Sequence, residues 1–378
     1  MGYNYTVARV WGIPIRVNVS LLVFLPILTW LIASGGQIEA YAGAISALTG
    51  EPLSLPALRA GFTPWVIGGI AAFLLFFAVT LHELGHSWVA LRYGIEIESI
   101  TLWILGGLAS LKSVPREASR EFWIAVAGPI VSLGLAAVGW VVVQLLPGSS
   151  NVIRFLAGWF ALTNLTLAVF NMLPAFPMDG GRVLRAVLAR NRSYPTATRI
   201  ASRVGVAFAV LFVVVGVTTG QLLMLLLALF VYTAATGESR AVMLGDLLEG
   251  FTAGDVASRD VPTLDPDTTV AAFTDRMMRD RRTVYPVTGR DGAVGIVSLS
   301  QLRNLEGDRD RVTLGEIAGE ARTFDATDAA FDCLMALGRD EAALVTEGDR
   351  VVGVLTREDF AQVLALMRGD GPGPRVAA

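Results

Sequence analysis

Long apolar runs dominate the first part of the chain and determine its predicted architecture. They cover Val17–Ala33, Val66–Leu81 with a continuation to about Tyr93, Phe122–Leu146, Phe155–Met178 and the uncharged stretch Val204–Gly237. A helix needs ~20 residues to cross ~30 Å of hydrocarbon, so the last stretch is long enough for two short spans. Gly220 and Gln221 lie at its middle and are typical of a turn. The pattern predicts about six transmembrane helices.

Composition and charge divide the chain into two parts. Only 17% of the 378 residues are charged, against about 25% in an ordinary soluble protein, which argues against a soluble enzyme. Residues 1–242 hold 15 basic and 9 acidic side chains, whereas residues 243–378 hold 15 and 24. The single cysteine, Cys333, excludes an intramolecular disulfide framework and a cysteine-based zinc site. We therefore expect a membrane domain followed by an acidic domain.

The distribution of arginines predicts the orientation in the membrane. The segment after the fourth run carries six arginines and no acid, namely Arg182, Arg185, Arg190, Arg192, Arg199 and Arg203. Basic residues concentrate in the cytoplasmic loops of membrane proteins. With six spans, both termini and the whole acidic part then lie in the cytoplasm, and the protein is expected in the cell (plasma) membrane.

A polar patch follows the second apolar run. His82 and His86 are four residues apart and share one helix face, so both can bind one metal ion, with Glu83 beside them to act on a metal-bound water. They are the two histidines of the chain, and ionisable side chains at membrane depth are costly and functional by default. The alternative is that the patch only ends the span at the interface, where Trp, Tyr, Arg and Lys are the usual residues. The pattern favours a metal site.

A third metal ligand is needed, because catalytic zinc sites usually have three protein ligands and a water. A carboxylate is expected, and Asp179 is the one acid between Glu121 and Glu238. The predicted topology places the ends of the second and fourth spans at similar depth, and Pro174 and Pro177 exclude a regular helix just before Asp179. The alternative for Asp179 and the two glycines after it is a helix-ending turn.

These motifs resemble those of the site-2 protease family of intramembrane zinc metalloproteases. The matching residues are His82-Glu83-Leu84-Gly85-His86, Gly106-Gly107, Ala127-Gly128-Pro129 and, in a later span, Asn171, Pro174, Pro177, Asp179 and Gly180. The resemblance implies one zinc ion per chain, bound by His82, His86 and Asp179. It implies Glu83 as the general base, and Asn171 together with Asn164 as residues that position the substrate or stabilise the oxyanion. The implied activity is hydrolysis of peptide bonds in or near transmembrane segments of membrane-protein substrates.

The segment Glu98–Lys112 predicts two short strands around Gly106 and Gly107. In the family that the chain resembles, this region is a membrane-embedded sheet beside the active site. An extended substrate could add to its edge as a further strand, which would make Gly106 and Gly107 substrate-positioning residues. The alternative is a plain interfacial hairpin.

The acidic part contains an internal repeat with offsets of 58 to 61 residues. The matching segments are 252–257 with 313–318, 271–277 with 329–335, and 295–298 with 353–356. Each unit predicts the order helix, strand, turn, strand, helix, which suits a duplicated small domain rather than a short solenoid repeat. The repeat resembles a tandem CBS pair. The predicted fold is therefore a polytopic α-helical membrane protein with a small membrane-associated β-hairpin and a cytoplasmic α/β CBS module.

A CBS pair often binds adenine nucleotides, and the resemblance implies a ribose-contacting Ser or Thr followed three residues later by Asp. The second repeat has Thr356 and Asp359, whereas the first has Ser298 with Gln301, which departs from the pattern. The alternative is a purely structural or dimerising role. CBS pairs commonly associate in twos, which implies a homodimer, and the acidic surface argues against nucleic-acid binding.

The expected domains are a transmembrane metalloprotease domain, a linker, two CBS repeats and a flexible tail, at 1–242, 243–251, 252–306, 307–369 and 370–378. The expected function is a zinc endopeptidase regulated by nucleotide binding or dimerisation of the CBS pair. A CBS-regulated channel or transporter is one alternative, but it gives no reason for the histidine motif and Asp179 at matching depth. An inactive family member that serves as a membrane scaffold is another, and the intact Glu83 argues against it.

Overall fold

The chain divides into two units, Met1–Arg240 and Ala241–Ala378. The computed structural model describes residues 4–104, 106–111, 117–259, 261–280, 284–289, 292–303, 311–338, 340–348 and 350–367. The predicted tail at 370–378 lies outside the described residues, as does Lys112 at the end of the predicted hairpin.

Four strands and nine helices make up the described part of the first unit. In chain order they are β1 (Asn4–Val10), β2 (Ile13–Asn18), α1 (Val19–Ser34), α2 (Gln37–Thr49), α3 (Leu55–Leu58), α4 (Thr63–Arg92), β3 (Ile97–Trp103), β4 (Gly106–Leu111), α5 (Ala118–Leu145), α6 (Asn151–Asn171), α7 (Asp179–Leu188), α8 (Tyr194–Thr219) and α9 (Leu222–Leu247). Five of these helices, α4, α5, α6, α8 and α9, are long and apolar enough to cross a membrane.

The predicted turn in the last apolar stretch is confirmed. Helix α8 ends at Gly220, whose φ of 68° is the left-handed conformation that glycine adopts most easily. Helix α9 begins two residues later, at Leu222. The stretch therefore forms two helices of 26 residues each rather than one long one.

The first predicted span is shorter than its apolar run. Val17 and Asn18 belong to strand β2, and the Asn18 side chain caps α1 by accepting a hydrogen bond from the backbone N–H of Ser20 at 2.9 Å. Helix α1 has 16 residues, which is ~24 Å and less than the hydrocarbon thickness. A bend of 64° separates α1 from α2, and these two helices reach the length of a span only when they are counted together. The described helices thus give five spans, or six with the bent pair.

The predicted hairpin is present as β3 and β4, and it belongs to a four-stranded sheet of order β1-β2-β3-β4. The apolar pattern did not predict β1 and β2. They form a second hairpin that turns at Trp11 and Gly12, both with positive φ, as a type I′ hairpin turn requires. Strand β2 pairs in parallel with β3, with Ile15 opposite Ile100. Strand β4 is therefore an edge strand of the described sheet.

Small residues bring α4 and α5 into close contact near the polar patch. A Cβ atom at Gly85 of α4 would lie 3.0 Å from the Ala127 carbonyl oxygen of α5. Elsewhere, α1, α2, α4 and α6 share a core around fully buried side chains such as Ile38, Ile67 and Phe155. The close approach leaves the polar face of α4 directly against α5.

Six further helices and five strands form the described part of the second unit. They are α10 (Ala253–Val256), α11 (Val270–Asp280), β5 (Val284–Gly289), β6 (Gly292–Ser298), α12 (Leu299–Arg303), α13 (Leu314–Ile317), β7 (Arg322–Asp325), α14 (Ala330–Leu337), β8 (Ala342–Glu347), β9 (Arg350–Thr356) and α15 (Arg357–Met367). The orders α11-β5-β6-α12 and α14-β8-β9-α15 match the order predicted for each repeat. Helix α9 continues to Leu247, so the first half of the expected linker at 243–251 is helical, because Val242, Met243 and Leu244 extend the apolar pattern of α9.

Candidate metal centre

Helix α4 presents the two histidines on one buried face. His82 and His86 are 4% and 8% exposed, and their Nε2 atoms lie 3.2 Å apart. The spacing of four residues places both rings over successive turns of the helix. Two potential metal-ligating nitrogens therefore meet at one point, as their spacing predicts.

Asp179 reaches the same point from a different part of the chain. Helix α6 ends at Asn171, and helix α7 begins at Asp179 after the turn that holds Pro174 and Pro177. The Asp179 Oδ2 atom lies 3.1 Å from His82 Nε2 and 3.2 Å from His86 Nε2. The expected alternative, in which Asp179 belongs to a helix-ending turn, does not hold, since Asp179 is the first residue of a helix.

The three atoms form a triangle with edges of 3.1, 3.2 and 3.2 Å. Oxygen and nitrogen ligands at the usual 2.0–2.1 Å from a tetrahedral zinc ion lie about 3.3 Å from one another. The donor set and its spacing therefore fit a zinc ion, and these are the residues that could hold a metal among those described.

Neighbouring groups fix the second nitrogen of each imidazole. His86 Nδ1 lies 2.6 Å from the Ile124 carbonyl oxygen, and His82 Nδ1 lies 2.9 Å from the Ser132 hydroxyl. A carbonyl oxygen can only accept, so His86 carries its proton on Nδ1, and a neutral ring then presents a lone pair at Nε2. With Nδ1 occupied in this way, Nε2 of His86 is the nitrogen that faces Asp179 Oδ2, 3.2 Å away, and it is the one available to a metal ion.

Gly128 of α5 leaves room for both imidazoles. A Cβ atom there would lie 2.7 Å from His82 Nε2 and would overlap His86 Nε2. Any side chain at this position would therefore fill the space beside the donor atoms. Ser132 lies one helical turn later on the same face of α5. The helix that makes space for the rings therefore also contacts both of them, His82 through Ser132 and His86 through the Ile124 carbonyl.

A cavity of about 580 Å³ opens beside the three donor residues. Glu83 and Asn171 both line it, as do Gly106 and Gly107 of β4. The Glu83 carboxylate lies against Gly107, where a Cβ atom would be 3.0 Å from Cδ and Oε1. The fold thus brings the predicted base, the predicted asparagine and the predicted strand together with the histidines and Asp179.

Asn164 lies elsewhere. It is 1% exposed, its Nδ2 donates to the Phe160 carbonyl oxygen at 2.9 Å, and it is not among the residues that line the cavity. The described structure therefore does not bring Asn164 to the wall of this cavity, and its predicted role in positioning the substrate stays a prediction.

Comparison with known proteins gives the family. The model of peptidase family M50 matches residues 70–212, and the CBS domain model matches residues 253–307. Rip3 of Mycobacterium tuberculosis, which carries the name of a zinc metalloprotease, is 31% identical over 387 residues, which cover 97% of this chain and 94% of Rip3. The chain belongs to peptidase family M50.

A second named relative agrees with this assignment, and one solved structure is also similar in sequence. The zinc metalloprotease MJ0392 of Methanocaldococcus jannaschii is 29% identical over 368 residues, which cover 97% of this chain and 98% of MJ0392. The solved structure of a site-2 protease from Methanocaldococcus jannaschii has 32% sequence identity and a TM-score of 0.43, and it covers 63% of this chain and 96% of the solved chain. The predicted class, a membrane-embedded zinc metalloprotease with a CBS domain, is confirmed.

Three features near the candidate metal centre of this M50 peptidase were not predicted. The Ile124 carbonyl is a backbone group and leaves no trace in residue identity, whereas Ser132, four residues after Gly128, could have been found from its position on the same face of α5. Arg185 was predicted as one of six basic loop residues, but it is 2% exposed and pairs with Glu121 at 2.5 Å and Glu238 at 2.6 Å. The charge pattern alone cannot distinguish a buried arginine from an interfacial one.

In the second unit of this M50 peptidase, the predicted ribose-contacting pair caps a helix. The Asp359 Oδ2 atom accepts hydrogen bonds from the Thr356 backbone N–H at 2.7 Å and the Thr356 hydroxyl at 2.6 Å, and Oδ1 accepts from the Ser258 hydroxyl at 2.6 Å. Ser298 instead lines a second cavity, also of about 580 Å³, together with Gln301. This cavity has an acidic wall formed by Glu320, Asp340 and Glu341, and its Arg322 already pairs with Asp340 at 3.0 Å.

Proposed function

We propose that His82, His86 and Asp179 hold one zinc ion and that Glu83 is the general base of peptide-bond hydrolysis. The spacing of the three donor atoms is the observation that supports this most directly, since each edge is within about 0.2 Å of the value for a tetrahedral zinc ion. A bound zinc ion supplies Lewis acidity and lowers the pKa of its water toward neutrality.

The side chains of the cavity have distinct tasks in this proposal. Glu83 takes the proton of the attacking water and delivers it to the leaving amine. The Asn171 amide, which lines the same cavity, donates to the oxyanion that forms at the scissile carbonyl. Ser132 and the Ile124 carbonyl keep the two imidazoles in the orientation that the centre requires.

Strand β4 is proposed to bind the substrate. A helical carbonyl is hydrogen-bonded and sterically covered, so the substrate must be extended at the scissile bond. Strand β4 is an edge strand, and its residues 106–109 line the cavity beside Glu83. An edge strand offers unpaired backbone groups to an extended peptide. Gly106 and Gly107 then allow close approach of the two backbones.

Zinc content tests the ligand set without knowledge of the substrate. The full chain in detergent is expected to hold about one zinc per chain by atomic absorption, and His82→Ala and Asp179→Ala are each expected to lose it. Glu117→Ala, at an exposed position that pairs with Arg120, is the matched control. Zinc retained by Asp179→Ala would remove Asp179 from the ligand set, and absence of zinc from the wild type after metal loading would reject the proposal.

The CBS module is proposed to regulate the peptidase by binding an adenine nucleotide in the cavity beside Ser298. The volume of the cavity supports a ligand of this size, whereas its acidic wall disfavours a long phosphate chain, so AMP is the form expected to bind. Thr356 and Asp359 remain a predicted second contact. Titration calorimetry of the full chain with AMP tests this, with Ala321→Trp to fill the cavity and Ala336→Trp, on an exposed face of α14, as control. Equal AMP binding by both variants, or none by the wild type, would reject this site.

We propose a homodimer, formed through the CBS units, in the cell membrane. The exposed apolar residues Met335, Leu366 and Met367 support self-association of this unit. Light scattering of the full chain in detergent is expected to give twice the chain mass, and Leu366→Glu should give the mass of one chain. A single-chain mass for the wild type would reject the dimer.

The orientation proposed is the one in which the arginines near α8 face the cytoplasm. Arg190, Arg192, Arg199 and Arg203 are exposed, as the positive-inside rule requires for a cytoplasmic segment. Burial raises the pKa of the natural thiol, Cys333, to about 11, so its labelling background should be low.

Two introduced cysteines test the orientation. Asn191→Cys lies beside the arginines, and Ser149→Cys lies between α5 and α6. An impermeant maleimide applied to intact cells is expected to label Ser149→Cys and to label Asn191→Cys only after permeabilisation. The reverse pattern would invert the proposed orientation.

A further inference from the structure

Arg185 is the largest side chain that is fully buried in the described part of the protein. Its Nε donates to Glu121 Oε1 of α5 at 2.7 Å, and one terminal nitrogen donates to Glu238 Oε1 of α9 at 2.6 Å. Its guanidinium carbon lies 4.8 Å from the ring centres of both Phe176 and Tyr194. One cation thus joins five elements, namely α5, the turn before α7, α7 itself, α8 and α9.

Helix α7, which carries Asp179, packs its Leu184 against Phe176, Ala201 and Ala235, and it has two further attachments besides this apolar packing. At its start, Gly180 and Gly181 pack against the backbone of the turn, where a Cβ atom at Gly181 would lie 2.6 Å from Phe176 N. The second attachment is Arg185 on the next turns of this ten-residue helix. The ion pairs of Arg185 add directed contacts to this packing, limit any pivot of α7 about its start, and so restrict where the Asp179 carboxylate lies.

The same elements hold the histidines. Helix α5 carries Glu121 and, one turn later, Ile124, whose carbonyl accepts from His86. Arg185 therefore ties the helix of the carboxylate ligand to the helix that orients one imidazole. A guanidinium can do this because its planar set of donors binds two carboxylates at once, which an ammonium group does less well.

We infer that Arg185 is a positioning residue that holds Asp179 at its distance from the two histidines through its ion pairs with Glu121 and Glu238. This inference rests on the proposed role of Asp179 as a metal ligand. Arg185 itself contacts neither the donor atoms nor the cavity.

A second buried arginine provides a matched control. Arg154 is 3% exposed and pairs with Glu51 at 2.7 Å. It lies at the start of α6, 17 residues from Asn171, which is ~25 Å along the helix. Loss of Arg154 removes a buried arginine and its ion pair with a more exposed carboxylate, without touching α7 or the metal centre.

The test compares two charge-neutral double variants of the full chain in detergent, Arg185→Met with Glu121→Gln and Arg154→Met with Glu51→Gln. Removing Arg185 together with its buried partner Glu121 avoids an unpaired buried charge, which would be the main threat to folding; the second partner, Glu238, has a side chain that is 36% exposed and so can be hydrated. Two properties are measured: the zinc dissociation constant by competition with a chelator, and the visible absorption of the cobalt-loaded protein, which reports ligand geometry. Arg185→Lys is a single variant that keeps the charge and stays available if the first double variant does not fold.

The Arg185 double variant is expected to bind zinc roughly tenfold more weakly and to show an altered cobalt spectrum, in the range that outer residues of metal sites produce. The zinc dissociation constant of Arg185→Lys should lie between those of this double variant and the wild type. The zinc dissociation constant of the Arg154 double variant should match the wild-type value within about twofold. Wild-type zinc affinity and cobalt spectrum in the Arg185 variants, with zinc lost in Asp179→Ala, would overturn the positioning role alone. Zinc retained in Asp179→Ala would overturn the ligand set, and this inference with it.

Discussion

The metal centre and the second unit each carry a sequence motif. The two motifs differ in whether the polar atoms that would bind a ligand already have hydrogen-bond partners in the protein. In the centre, the polar atoms that face away from the common point are bound: His86 Nδ1 to the Ile124 carbonyl and His82 Nδ1 to Ser132. The atoms that face the common point, the two Nε2 and Asp179 Oδ2, contact only one another. The potential ligand atoms thus have no hydrogen-bonding neighbour other than one another among the described residues.

In the second unit, the motif carboxylate is already used. Both oxygens of Asp359 accept short hydrogen bonds, from Thr356 and from Ser258. A Ser or Thr followed three residues later by an acid is also the pattern of a helix capping box. A motif is therefore strong evidence for ligand binding when the fold leaves its reactive atoms uncommitted, and weak evidence when local structure already satisfies them.

The substitution Glu83→Gln tests the metal-centre side of this comparison and has the largest expected effect. The amide keeps the shape of the side chain and cannot accept the proton, so cleavage is expected to fall by ~10²–10⁴-fold with zinc content unchanged. Fluorescently labelled casein, an unfolded chain, is a suitable probe substrate in detergent. Glu98→Gln, at an exposed position of β3, is the control. Near-normal cleavage by Glu83→Gln would assign the base to another group.

The next largest effect is expected for Gly128→Ala. The added methyl group overlaps the imidazoles, so the zinc dissociation constant should rise by ~10–100-fold, as for other changes beside metal ligands. Gly134→Ala on the same helix adds the same methyl group where no atom lies within 4 Å, and should leave zinc binding unchanged. Chelator competition measures both. If Gly128→Ala and Gly134→Ala bound zinc with equal affinity, α5 would have to move away from the imidazoles at little cost in free energy.

The substitution Asp359→Ala tests the other side of the comparison, the motif of the second unit. If Asp359 serves mainly as a cap, the free energy of unfolding should fall by ~1–2 kcal/mol, with AMP affinity changed by less than about twofold. Thermal unfolding and calorimetry of the full chain give the two values, with Asp332→Ala on the exposed face of α14 as control. A large loss of AMP affinity at normal stability would show instead that the carboxylate binds ribose.

The smallest expected effect is a pH dependence at α10. Hydrogen bonds from the Thr252 backbone N–H and hydroxyl hold the pKa of Asp255 below its ordinary value. The cap therefore stabilises the unit at neutral pH and is lost as pH falls through this lowered pKa. Because Asp255 is exposed, the contribution is under ~0.5 kcal/mol. Circular dichroism melting of Asp255→Asn and wild type should differ slightly at pH 7 and converge below pH 4; a constant difference would contradict the assignment.

Much of this architecture follows from the chain itself. Uncharged runs of sufficient length predict the spanning helices, and the four-residue spacing of His82 and His86 predicts their shared face. The scarcity of acids near the fourth run leads to Asp179. These features depend on local periodicity or on the small number of residues capable of the chemistry, and both are visible without a structure.

The missed features depend on contacts between distant segments. Strand β1 is largely exposed, and β2 joins the sheet through a parallel pairing with Ile100 that no local pattern encodes. Ile124 contacts His86 through its backbone carbonyl, which every residue type has, so its side chain gives no indication of this role. Arg185 resembles its neighbours in the charge pattern, and only the meeting of α5, α7 and α9 makes it a buried residue.

Strand β4 has a consequence for the pattern of cleavage sites. Along a strand, successive side chains point to opposite faces, so a peptide paired with β4 would present every second residue to the cavity and the others away from it. A shift by one residue would exchange the two sets. Selectivity would then appear as a preference that repeats every second position around the scissile bond, with little discrimination at the positions between. A library of peptides that vary one position at a time would make this alternation visible.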